Sequence, residues 1–178
     1  AAARLAGRFF DLIFVATGIL ENDDARPEKS FAELSPEAMA RVFAANAVGP
    51  ALVFKHFAGL LPLKERSVIA VLSARVGSIG DNRLGGWMSY RASKAALNQI
   101  VRCAAIELKR TRPEAVALAL HPGTIETALT EKYAKGRFTA TPMNAPKIWC
   151  GSAPERRQRC PAASSPITAR RSSGDARA

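Results

Sequence analysis

Three short apolar runs constrain the fold more than anything else in this chain. Asp11-Leu12-Ile13-Phe14-Val15-Ala16-Thr17-Gly18-Ile19 reads as a buried strand running into a glycine turn. Ser67-Val68-Ile69-Ala70-Val71-Leu72-Ser73 is a second, ending in a hydroxyl. Ala115 to His121 is a third, and Pro122-Gly123 turns the chain after it. Stretches with helical period separate them, and that alternation argues for a parallel α/β architecture. The first strand is expected over Phe9 to Ala16, and Glu21 to Leu34, with mixed charges and Pro27, reads as loop. Ser35-Pro36 starts a helix, with a hydroxyl cap and proline at the first helical position. It runs to about Gly59 or Leu61, where Pro62 stops it. The second strand is expected over Val68 to Ser73, followed by a glycine-rich loop from Gly77 to Gly86. The next helix starts at Trp87 or Met88 and runs to about Arg110.

Ligand sites of parallel sheets collect at the carboxyl ends of the strands. Thr17-Gly18, Ser73 and Pro122-Gly123 stand at such ends, and Tyr90, near the start of its helix, faces the same edge. Tyr90 and Lys94 are four residues apart, so a helix places them on one face. A free phenol has a pKa of about 10. A nearby cation favours the phenolate, which makes the pair a proton donor and acceptor for alcohol–carbonyl chemistry. Taken alone, the spacing fits an amphipathic surface helix as well. Asn46 is a lone amide inside the apolar helical run Val42 to Pro50, where its side chain competes with the backbone. A buried amide satisfying a neighbouring carbonyl is the plain reading.

In this order and spacing the set resembles the short-chain dehydrogenase/reductase family. The segments Arg75-Val76-Gly77-Ser78-Ile79 and Gly85-Gly86-Trp87 are similar to its C-factor-like and carbonyl-reductase-like branch. The resemblance covers roughly Leu5 to Thr141. It implies a partial Rossmann-like, doubly wound parallel sheet, and hydride transfer between NADP or NAD and a carbonyl or secondary alcohol. It implies Tyr90 as general acid or base, Lys94 as the cation that lowers the phenol's pKa and holds the nicotinamide ribose, and Asn46 as a water-mediated relay to Lys94. Ser73 would orient the carbonyl, with a departure: the family's working serine stands three residues before the glycine, where this chain has Ala74. Ser73 or Ser78 is left for the role. Thr17, Gly18, Pro122, Gly123, Ile125 and Thr127 match segments that hold the cofactor, although Val15 and Ala16 replace two amides of the first. The Ala-rich helix after Lys94 commonly faces a partner subunit in the family, which implies a homodimer or homotetramer.

The glycine-rich dinucleotide turn belongs before residue 1 in such a chain, and no Gly-x-x-x-Gly-x-Gly occurs here. The expectation is therefore residues 1–142 as the catalytic portion of a dehydrogenase domain, with impaired activity by itself. A non-catalytic remnant serving as an oligomerisation module is the alternative. Residues 143–178 are rich in Pro, Ser, Ala and Arg without period, read as a disordered basic tail, and fit a shifted reading frame. That tail carries nearly half of the net charge of +11. No aromatic residues interleave its arginines, so nucleic-acid binding is not expected. No apolar run approaches the roughly 20 residues that span a bilayer. Arg4 and Arg8 before an apolar stretch faintly resemble a signal peptide, but Asp11 interrupts it. Cys103, Cys150 and Cys160 form neither a zinc pattern nor a redox pair, and a reducing cytoplasm is the simplest setting. His56 and His121 make no metal site on this spacing, and Trp87 and Met88 fit a substrate pocket or plain packing.

Overall fold

Ser35 opens the first long helical stretch as its chemistry requires: its Oγ accepts from Ala38 N at 3.2 Å, and Pro36 follows. The computed structural model describes residues 2–21, 26–126, 131–133 and 138–139, and the backbone of 170–171. In chain order the strands and long helices are β1 (Arg8–Phe9), β2 (Leu12–Val15), α1 (Pro36–Phe43), α2 (Gly49–Phe57), β3 (Ser67–Leu72), α3 (Met88–Thr111), β4 (Ala115–Leu120) and β5 (Arg170–Arg171). The expected first strand thus breaks at Phe10 and Asp11, where Phe10 N donates to Leu60 O at 2.9 Å. The disordered tail expected from residue 143 lies outside the described residues, except that the backbone of β5 pairs antiparallel with β1.

The helix expected from Ser35 to Gly59 or Leu61 is continuous but not uniform. Between α1 and α2, Ala44–Val48 forms a π-helical turn, closed by Gly49 N donating to Ala44 O. Pro50 gives the reason. It has no N–H for the carbonyl of Asn46, and its ring crowds that group in a regular helix. Gly49 allows the tighter approach, since a Cβ there would lie 3.3 Å from Ala44 O. Such bulges recur at functional sites, and this one carries Asn46.

β2, β3 and β4 form one parallel sheet in that order, with Leu12 opposite Val68 and Ser67 opposite Ala115. α2 and α3 pack on one face. Phe54, Leu61, Leu97, Val101 and Leu108 meet Val15, Ile69, Val71 and Ala115 in a single core. Each fully buried side chain of this kind stabilises the fold by about 1.5–3 kcal/mol. Arg112 closes the far end, donating from Nε to Leu61 O at 3.0 Å and from Nη2 to Gly59 O at 3.2 Å. The opposite sheet face presents Phe14, Val116 and Leu118 exposed among the described residues. The architecture is the parallel α/β layer that the three apolar runs dictate.

Candidate active site

Tyr90, Lys94 and Asn98 follow one another at steps of four along α3 and share one face. That face meets the carboxyl end of β3. Lys94 is buried, and its Nζ donates to Leu72 O at 2.9 Å while lying 5.8 Å from the centroid of the Tyr90 ring. Ser73 is buried too, and its hydroxyl donates to Asn98 Oδ1 at 2.6 Å. Gly77 brings the following turn against the helix. A Cβ on Gly77 would lie 2.8 Å from the backbone carbon of Lys94 and 2.9 Å from its Cβ. Only glycine allows that approach, which is the physical content of a glycine four residues after Ser73.

Asn46, fully buried, is a hub. Its Nδ2 donates to Ile19 O at 2.8 Å and to Ser93 Oγ at 3.1 Å, and its Oδ1 accepts from Ile19 N at 2.8 Å. Ser93 Oγ in turn donates to the backbone carbonyl Tyr90 O at 2.8 Å. One amide therefore ties the loop after β2, the π-turn and the first turn of α3 together. Gly18 sits at their junction: a Cβ there would be 3.3 Å from both Asn46 Oδ1 and Lys94 Nζ.

Burial sets the titration of the two central groups. It lowers the pKa of Lys94 to about 8 and raises that of Tyr90. The expected depression of the Tyr90 phenol by Lys94 is therefore not what this arrangement gives. The ammonium is turned toward Leu72 O, and desolvation of the phenol outweighs a cation at that range.

Asn46, Ser73, Tyr90 and Lys94 thus converge on one sheet edge with Gly18, and Thr17 is exposed beside it. Pro122, Gly123 and Ile125 follow β4, the neighbour of β3. Gly123 has φ +79, a left-handed backbone suited to glycine, and Thr139 packs directly over it while its N–H donates to Thr124 O at 2.8 Å. Thr127 lies outside the described residues. Ser78 is exposed and Ala74 partly buried. His56 is exposed on α2, and no group of three or more metal-ligating side chains occurs among the described residues. No helix among them is long and apolar enough to cross a membrane.

Several residues escaped sequence reasoning. Asn98 had a signal, the continuation of the four-residue step from Lys94. Ser93 had none beyond its place in the helix. Glu28 had none either. It is buried, accepts from Ser89 N at 3.2 Å and from Ser89 Oγ, and its carbonyl accepts from Trp87 N at 2.5 Å. A loop carboxylate 61 residues away in sequence therefore caps the helix that carries Tyr90.

This chain is similar to several known proteins. The 1-hydroxy-2-glutathionyl-2-methyl-3-butene dehydrogenase of Rhodococcus sp. (strain AD45) is 32% identical over 146 residues, 81% of this chain and 60% of the relative. The C-signal of Myxococcus xanthus is 42% identical over 93 residues, 50% of this chain and 52% of the relative. A crystal structure described as a short-chain dehydrogenase/reductase from Burkholderia multivorans with bound NADP superposes with TM-score 0.64 at 36% identity. That match covers 72% of this chain and 53% of the other. The chain spans between half and three fifths of the length of these relatives. The family model for short chain dehydrogenases matches residues 3–137. With that match over a parallel sheet whose edge gathers Tyr90, Lys94, Ser73 and Asn46, the chain belongs to the short-chain dehydrogenase family.

Proposed function

We propose that this site interconverts a carbonyl and a secondary alcohol of a small molecule, with NADP or NAD as the hydride carrier. The observation that carries the reading is the α3 face: a buried lysine ammonium 5.8 Å from the Tyr90 ring, held against the carboxyl end of a parallel strand. The residues present fit the nicotinamide end of such a cofactor. Gly18 leaves a space bounded by Asn46 Oδ1 and Lys94 Nζ, and an ammonium has two further N–H groups beyond the one given to Leu72 O. Lys94 and Thr17 would hold the ribose, and Pro122, Gly123 and Ile125 the carboxamide. When bound, the nicotinamide supplies or accepts the hydride.

The remaining steps fall to the chain. Tyr90 donates its phenolic proton to the carbonyl oxygen in reduction and takes it back in oxidation. Its raised pKa keeps the phenol protonated at neutral pH, which favours the donor role. Lys94 compensates the phenolate left behind. Asn46 keeps the loop bearing Gly18 in place through Ile19. Ser73, spent on Asn98, orients the helix face more directly than it reaches a substrate, and Ala74 offers no hydroxyl beside it. The exposed Val48, Leu52 and Ile106 support a homodimer or homotetramer built on the helices.

The test is oxidation of NADPH and NADH by the purified chain with a panel of aldehydes and ketones, beside Tyr90→Phe. We expect slow turnover that Tyr90→Phe lowers by about 100-fold or more. Turnover indifferent to Tyr90→Phe overturns the reading. No turnover by a chain that forms a defined oligomer favours the non-catalytic interaction module.

A further inference from the structure

Three consecutive residues before α3 are left-handed: Gly85 at φ +64, Gly86 at φ +62 and Trp87 at φ +52, ψ +40. Trp87 is the one non-glycine residue with positive φ among the described residues. Left-handed backbone crowds a Cβ against the following carbonyl, and a bulky residue there is an outlier that its surroundings must hold. The surroundings do hold it. Trp87 N donates to Glu28 O at 2.5 Å, Ser89 N donates to Glu28 Oε2 at 3.2 Å, and Arg91 Nε donates to Gly86 O at 3.0 Å. Trp87 makes no side-chain capping bond to α3. A third glycine would serve the turn without strain, so the backbone gives no reason for an indole at this position.

The indole's place gives one. Its ring stands 6.4 Å from the Tyr90 ring at 72° and 5.1 Å from the Tyr133 ring at 77°, edge-to-face with both. Tyr133 is itself tethered, its hydroxyl donating to Glu21 while Lys132 Nζ donates to Glu21 Oε1 at 2.8 Å. Trp87 is only half-buried, and its indole neighbours the Tyr90 phenol. Aromatic faces and edges favour flat π-systems over saturated rings of the same shape.

We infer that Trp87 is a specificity-determining residue that selects carbonyl compounds with an aromatic ring attached to the carbonyl carbon. The inference rests on the carbonyl–alcohol reading of this site. Its test is ligand binding without cofactor, with acetophenone and cyclohexyl methyl ketone as the probes. Dissociation constants are read by ligand-observed NMR on the full chain and on Trp87→Gly and Trp87→Phe.

The chain should bind acetophenone about tenfold tighter than its saturated analogue. Trp87→Gly should remove that preference and change the affinity for the saturated ketone by less than about twofold. Trp87→Phe should restore part of the preference. Equal affinity for the two ketones in the unmodified chain, or an equal fall for both in Trp87→Gly, would each overturn the inference. Tyr90→Phe removes a hydrogen bond common to both ketones, so it should weaken both alike and leave their ratio standing. If NADPH turnover ignores that substitution while the aryl preference stands, the carbonyl–alcohol reading fails and the aromatic contact survives.

Discussion

Asn46→Ala probes the one group that joins three elements of the site. The substitution removes the partner of Ile19 N and of Ile19 O, and one donor to Ser93 Oγ. Ser93 keeps its bond to Tyr90 O, so its loss is minor. The two Ile19 backbone groups are part-buried, and each left without a partner costs about 1–3 kcal/mol. Allowing for water reaching one of them, the loss is about 1–3 kcal/mol, a sizeable share of the roughly 5–15 kcal/mol that stabilises a typical domain. Urea denaturation followed by circular dichroism reads it directly. Asn46→Asp is the sharper control because it keeps the shape and turns the Nδ2 donor into an acceptor. An acceptor there opposes Ile19 O at 2.8 Å and a Ser93 oxygen whose proton is already committed. Asn46→Asp should therefore be destabilised at neutral pH at least as much as Asn46→Ala. A loss below about 1 kcal/mol for both variants would refute the argument that Asn46 holds the loop to the helix.

Three further outcomes follow from other contacts. Gly77→Ala should lose about 1–3 kcal/mol in the same denaturation assay, because the new methyl group meets the backbone of Lys94, which cannot move aside. Lys94 has its pKa lowered by burial to about 8, against about 10.4 for an ordinary lysine. Between those values the unfolded chain binds more protons than the folded one, so stability rises with pH across that window. Lys94→Met should lack the rise, and its stability relative to the parent should fall by up to about 3 kcal/mol between pH 7.5 and 10.5; parallel pH curves would contradict this. Ser67 Oγ is buried with no hydrogen-bond partner among the described residues, so Ser67→Ala should raise the melting temperature or leave it unchanged.

The parallel α/β layer was legible because burial on both faces leaves an uninterrupted apolar run, and Ser67 to Leu72 is such a run. Tyr90 and Lys94 were legible because a helix turns a spacing of four into a shared face. The amide at Asn46 was visible as an oddity, and Pro50 four residues on held the clue to the π-turn that positions it. The Ser73 to Asn98 bond was half legible, since Asn98 extends the step from Lys94 while the strand it meets is 25 residues away.

The sequence by itself therefore determined periodicities: which runs are strands, which face of α3 holds chemistry, and which turns demand glycine or proline. Those properties depend on neighbours within a few residues. Tertiary structure alone decided which distant groups meet. Glu28 capping the start of α3, Ile19 caught by Asn46 and Lys94 turned to Leu72 O join residues 61, 27 and 22 positions apart. It also decided the titration of the site, because burial of Lys94 and Tyr90 is set by the packing of helix on sheet.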